Sequence, residues 1–184
     1  MAESADRETE WDRIRGVVQE HQSALIRYAT SIVGGTEQAK DIVQEVFLKL
    51  CKQRWRDVEG HLASWLFRVT RNQALDALRK EKRMSLFEKT ETMEALAGFG
   101  EIAAGETRRS EAIRSLLELV EQLPGRDKEV VTLKFQQGLS YKEISEVTGL
   151  TVSNVGYVLH HALKELKQRW EAVEEAVWDR RLQK

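Results

Sequence analysis

Cysteine, proline and long apolar runs are scarce in this chain, and each scarcity excludes something. One cysteine, Cys51, in 184 residues rules out an internal disulfide and fits a reducing compartment. A single proline, Pro124, leaves room for long helices. No stretch is apolar and long enough to span a membrane, and the acidic, polar start MAESADRETEWDR has no apolar signal core. β-branched runs with period two are missing, so no sheet is expected. Metal-ligand spacings and phosphate-binding glycine loops are missing too, which speaks against an enzyme, a metal site or a cofactor. His160 and His161 are adjacent, so they diverge on a helix and make a poor metal pair. The expectation is a cytoplasmic, soluble, non-enzymatic protein without a membrane-inserted segment.

What is present is charge and helical periodicity. The chain is 41% hydrophobic and 32% charged, which suits two small helical bundles better than one large core. The net charge of −1 hides a strong asymmetry. Residues 49–83 hold ten Lys and Arg against four Asp and Glu, whereas residues 87–122 hold four against eight. A basic block followed by an acidic stretch reads as a binding surface and then a linker.

The predicted class is all-α, with two helical domains and a flexible linker. Helices are expected over 11–33, up to the Gly34-Gly35 pair, over about 37–53, and from about His61 to Arg83. These make a first domain, 10–85. Residues 86–108, rich in Gly, Ala and Glu around EALAGFGEIAAGE, form the linker. A second domain, 109–170, starts with the amphipathic SEAIRSLLELVEQL. Pro124 is placed to open the next helix, GRDKEVVTLKFQQ, which Gly138 closes. Residues 171–184 form a helical tail; Trp170, Val173 and Val177 share a face that either extends the last helix or caps the second domain.

Residues 138–166, GLSYKEISEVTGLTVSNVGYVLHHALKEL, carry the clearest local signals. Ser140 and Glu143 are spaced as a capping box. Gly149 suits a left-handed helix terminator, and Thr151 suits an N-cap. Helix, glycine turn and helix together spell a helix-turn-helix. Yet Thr151 to Leu163, where a DNA-reading helix would lie, has no Lys or Arg. A helical projection groups Ser153, Asn154, Tyr157, His160, His161 and Lys164 on one face, with Val158 at its edge. Val152, Val155, Leu159, Ala162, Leu163 and Leu166 fall on the other. The polar groups can bond to base edges or phosphates, and Val158 can touch a thymine methyl. Phosphate anchors must come from elsewhere, with Lys142, Lys164, Lys167 and Arg169 as nearby candidates.

The first domain offers two more faces. Arg68, Arg71, Arg79 and Lys82 lie within about 80° on one helix, a stripe suited to a phosphate backbone. Trp65 and Phe67 start that helix; they suit stacking on unpaired bases, though at least one is expected in the core. On the preceding helix Asp41, Gln44, Glu45 and Lys52 surround Leu48. A leucine ringed by polar residues has the pattern of a protein-contact patch, but a single exposed leucine alone assigns nothing.

GTEQAKDIVQEVFLKL, LASWLFRVTRNQALDALRKEKR and LPGRDKEVVTLKFQQGLSYKEISEVTGLTVSNVGYVLHHALKEL together resemble bacterial sigma-70 family factors, in particular the extracytoplasmic-function (ECF) group. The resemblance covers about residues 12–168. It implies a two-domain sigma factor that binds core RNA polymerase and promoter DNA. By the resemblance, Asp41, Gln44, Glu45 and Leu48 dock on the polymerase clamp, and residues 54–64 hold a flipped −10 base. Arg56, His61, Trp65, Arg68, Arg71, Arg79 and Lys82 then handle −10 DNA. Lys142, Ser153, Asn154, Tyr157, His160, His161 and Lys164 handle the −35 element. An anti-sigma factor is left open as a further partner, with nothing in the residues to argue for it. The sequence departs from the family where basic residues are common, at Gly156, Val158 and His161, and has Ser145 where alanine is usual. Polymerase and the first domain anchor such a complex, so its reading helix needs few cations of its own. The competing reading is a helix-turn-helix regulator of the two-component output type. It would need a receiver or sensor domain in front, and residues 1–110 show no α/β alternation.

Overall fold

A glycine with φ of +82°, Gly34, ends the first helix, because few side chains tolerate that left-handed conformation. The computed structural model describes residues 2–85 and 108–182, and the side chains of 11–83 and 113–172. Helix α1 (Ala2–Val33) starts earlier than the apolar pattern indicates. Helix α2 (Thr36–Leu50) ends three residues short of the expected boundary, in a turn at Cys51 and Lys52. Residues 54–64 form a single turn, α3 (Trp55–Val58), and a 3-10 turn, Glu59–His61, leading into α4 (Leu62–Ser85). Among the described residues there is no strand.

The chain divides into two units, residues 1–98 and 99–184. In the first, α1, α2 and α4 pack pairwise on one another. Leu25 and Tyr28 from α1, Val43 and Val46 from α2, and Leu66 and Phe67 from α4 fill the core. The first two pairs stand three residues apart, and on α4 the adjacent Leu66 and Phe67 lead on to buried Thr70 and Ala74 at three- and four-residue spacing, so each helix buries one stripe.

The second unit contains α5 (Arg108–Glu121), α6 (Gly125–Val131), α7 (Tyr141–Thr148) and α8 (Val152–Leu182). Helix α6 continues into a π-helical turn, Thr132–Gln136. Pro124 caps α6 from just outside rather than opening its first turn. Helix α8 touches α5, α6 and α7 and buries Val155, Leu159, Ala162 and Leu166 among them. It also runs on through the expected tail, as one helix to Leu182. The expected linker, residues 86–107, lies outside the described residues, as do the side chains of Val173 and Val177.

The capping box forms as expected. Glu143 N–H donates to Ser140 Oγ at 3.3 Å, while Ser140 N–H donates to Glu143 Oε2 at 2.8 Å. The Ser140 hydroxyl also donates to that oxygen, at 2.6 Å. These bonds from the Ser140 hydroxyl and amide, with a weaker attraction from Lys134, hold the Glu143 carboxyl below its ordinary value. Burial opposes them and pushes the other way. A depressed carboxyl stabilises the fold above its unfolded-state value and loses that contribution as pH falls through its folded value. Ser140→Ala is therefore expected to cost about 1 kcal/mol near neutral pH. The gap to wild type should narrow below about pH 4, the ordinary glutamate range. Urea unfolding at both pH values measures it, and a gap independent of pH would refute the charge-assisted bond.

Candidate nucleic-acid and polymerase interface

Asp41, Gln44, Glu45 and Leu48 all stand exposed on α2, at spacings that place them on one helical face. Leu48 is 61% exposed although the helix around it is well ordered into a core. It borders an apolar groove between α1 and α2 that Ile14, Val18, Ile26 and Phe47 also line. Glu45 is partly committed within the unit, because Gln73 of α4 donates to its Oε2 at 2.9 Å. The other three side chains face outward around it.

On α4 the basic stripe is graded. Arg68 and Arg71 are half-buried, whereas Arg79 and Lys82 are exposed. Arg79 pairs with Asp76 at 2.8 Å, an exposed pair that water and salt weaken. Arg56 on α3 and His61 at the end of the 3-10 turn are both exposed. The short α3 is held by its other side: Val58 is buried, and the Arg13 guanidinium lies 5.8 Å from the Trp55 ring centre.

Trp65 is a correction. Like Phe67 it belongs to the core, with 9% of its surface exposed, so its ring faces are not free to stack on a base. It also lines a groove between the end of α2 and α4, together with Lys49, Lys52, Asn72, Gln73 and Asp76. Lys49 belongs to the basic block of the sequence, and Lys52, expected in the ring around Leu48, lines this groove as well. Their position at this groove adds two cations to the same surface.

In the second unit the turn between α7 and α8 follows the sequence closely. Gly149 adopts φ of +76°. Asn154 N–H donates to Thr151 Oγ1 at 3.2 Å, which makes Thr151 the N-cap of α8. Ser145 bridges the turn, its hydroxyl donating to the Leu150 carbonyl at 2.6 Å. An alanine there could not make that bond.

Ser153, Asn154, Tyr157, His160 and Lys164 are exposed on α8, as is Lys142 on α7. Among the described residues Tyr157 is the most exposed large hydrophobic side chain, at 70%. The His161 ring stacks on it at 6.4 Å between centres. His161 is exposed too, with Nδ1 3.5 Å from Asp127 Oδ2 on α6. Val158 is a second correction: it is buried at 8% and cannot reach a thymine methyl. Helix α8 packs against three neighbours, so its covered arc is wider than one amphipathic face. Val152 and Leu163, expected inside, are 47% and 42% exposed.

Both units match known families. Residues 17–84 match the family model described as sigma-70 region 2, and residues 113–166 match sigma-70 region 4. The chain belongs to the sigma-70 family of RNA polymerase sigma factors. The RNA polymerase sigma factor SigV of Bacillus subtilis is 31% identical over 152 residues, covering 82% of this chain and 86% of SigV. The ECF sigma factor SigL of Mycobacterium tuberculosis is 28% identical over 159 residues, covering 84% of this chain and 86% of SigL. The fold is shared with sigma factor RpoE of Bartonella quintana, solved in complex with the anti-sigma factor NepR. That match has a TM-score of 0.65 at 20% identity and covers 84% of this chain and 94% of RpoE. The sigma factor is of the ECF group, and it binds core RNA polymerase and promoter DNA to direct initiation. The region 2 match over the first unit disfavours the two-component regulator. The family is one of initiation factors, not catalysts. Among the described residues no helix is long and apolar enough to cross a membrane.

Proposed function

We propose that the α2 face of Asp41, Gln44, Glu45 and Leu48 is the surface by which this sigma factor docks on core RNA polymerase. In the same reading Arg56, His61, Arg68, Arg71, Arg79 and Lys82 hold −10 DNA. Ser153, Asn154, Tyr157, His160, His161 and Lys164 choose the −35 sequence, with Lys142 on the backbone. Residues 10–85 and 109–170 are the two working domains. The protein acts in the cytoplasm by binding alone and catalyses no reaction. An anti-sigma factor is a further partner of this reading.

The observation that carries the docking surface is Leu48, 61% exposed among polar neighbours and next to an apolar groove. Burying such a side chain at the centre of an interface contributes about 1.5–3 kcal/mol. The polar ring fixes orientation and excludes water around it.

The triple variant Asp41→Ala, Glu45→Ala, Leu48→Ala is expected to bind core polymerase at least about tenfold more weakly, a change of about 1.4 kcal/mol. All three side chains are exposed, so its circular dichroism and melting should stay near wild type. Fluorescence anisotropy with labelled protein and purified core enzyme measures the affinity. An unchanged affinity would remove this face from the interface.

A further inference from the structure

The fold brings together three side chains that the sequence keeps apart. Asp127 sits in the first turn of α6, and His161 and Glu165 lie one turn apart on α8. One ligand-capable atom from each lies within 4.8 Å of the others. We propose that Asp127, His161 and Glu165 form a binding site for a divalent transition-metal ion of the zinc class.

The gap between His161 and Asp127 suits two ligands of one ion, and the Glu165 carboxylate lies within 4.8 Å of both. A charge-assisted bond between imidazole and carboxylate closes to about 2.7–2.9 Å. Here His161 Nδ1 and Asp127 Oδ2 stand 3.5 Å apart. Two ligands at about 2.0–2.2 Å from a tetrahedral ion are separated by roughly 3.3–3.6 Å. The observed gap is that edge. Glu165, at i+4 from His161, projects from the same face of α8 and supplies a third corner.

The donor set fits the ion. One imidazole and two carboxylates suit zinc and its neighbours better than calcium or magnesium, which prefer oxygen alone. Two carboxylates would balance the ion's charge. Asp127 is held largely out of water, with its side chain 15% exposed, so the site is partly desolvated. Arg169 pairs with Glu165 from the next turn of α8 and can orient that carboxylate through one oxygen while the other takes the ion. His161, at 58% exposure, leaves an entry path from solvent and room for water as a fourth ligand.

An ion at this position would tie α6 to α8. It would also hold the His161 ring toward Asp127, beside Tyr157 on the outer face. Metal occupancy would then withdraw His161 from the −35 groove, a consequence that rests on the −35 reading above. The binding site itself does not rest on it, and its test is made without DNA.

The test is isothermal titration of zinc chloride into the full chain, free of any histidine tag. Saturable binding of one ion per chain is expected. Asp127→Asn and Glu165→Gln should each weaken it at least about tenfold, the lower bound for disturbing a metal site. Cys51→Ser, which removes the one thiol in the chain, should bind as wild type does. Both carboxylate changes are near-isosteric, and circular dichroism establishes that the variants are folded. Cobalt titration gives an independent reading: strong visible absorption from tetrahedral cobalt should appear with wild type and be lost with His161→Gln. No saturable zinc binding by wild type would overturn the proposal. So would equal binding by wild type and both carboxylate variants, which would mark an adventitious ion only.

Discussion

Replacing Phe67 by alanine is expected to destabilise the first unit by about 3–5 kcal/mol. Phe67 is 2% exposed and sits among the largest fully buried side chains. Its ring meets Tyr28 of α1 edge to face, 5.3 Å between centres at 71°. Such a pair adds about 0.5–1.5 kcal/mol beyond the area it buries. Truncation leaves a cavity between α1 and α4 that a small three-helix core cannot close. A loss of that size is a large share of the stability of any small domain. The functional consequence follows from sequence position. Arg68 and Arg71 ride on the same helix, so loosening its anchor should scatter the stripe proposed to hold −10 DNA. Hydrogen exchange on the full chain measures the effect unit by unit. Protection should fall in α1, α2 and α4, while α7 and α8 keep theirs. Phe67→Leu, which refills much of the volume, should recover part of the loss. A cost below about 1 kcal/mol would mean that this ring does not hold the core together.

How much of this was legible from residues alone depended on the range of the interaction. The capping box of Ser140 and Glu143, the left-handed Gly149 and the Thr151 cap are set by chemistry within four residues. Each appears in the structure as the sequence indicates. The helix stripes were legible for the same reason, since one turn brings i and i+4 together. The short α3 was not, because a single turn shows no period. Val158, at the edge of the polar face in projection, is buried because a projection assumes one packing partner, and α8 has three. Trp65 could not be assigned by pattern, since stacking platforms and core residues share a spacing. The approach of Asp127 to His161 and Glu165 was invisible, as it depends on how α6 crosses α8. The family resemblance supplied a role for α2 that the residues alone left open, and narrowed the nucleic-acid reading of α4 to −10 DNA.

Asn154→Ala is expected to change which −35 sequences are used, not merely how tightly DNA is held. Asn154 stands exposed in the first turn of α8, where its backbone N–H is already spent on Thr151. Its side-chain amide is thus presented outward by a capped, well-anchored turn. An asparagine amide can pair bidentately with the N6 and N7 edge of adenine, and such a pair is worth about 1–3 kcal/mol of discrimination. Its loss should relax preference at one position by roughly tenfold or more. Tyr157 lies one turn further on, 70% exposed, with His161 stacked behind it. Its ring can pack on a thymine methyl while its hydroxyl reaches a phosphate. Tyr157→Phe, which keeps the ring, should therefore lose less than Tyr157→Ala. The geometry requires that α8 enter the major groove by its N-terminal end, as recognition helices do. No Lys or Arg stands between Thr151 and Leu163, so the phosphate term at this end of the complex is small. The effect should then appear as altered preference with little change in salt dependence. Selection from a library of −35 variants, run with core polymerase and either protein, reads the outcome directly. If wild type and Asn154→Ala chose the same sequences, base choice would lie elsewhere, with the exposed Arg56 and His61 of the first unit the next residues to change.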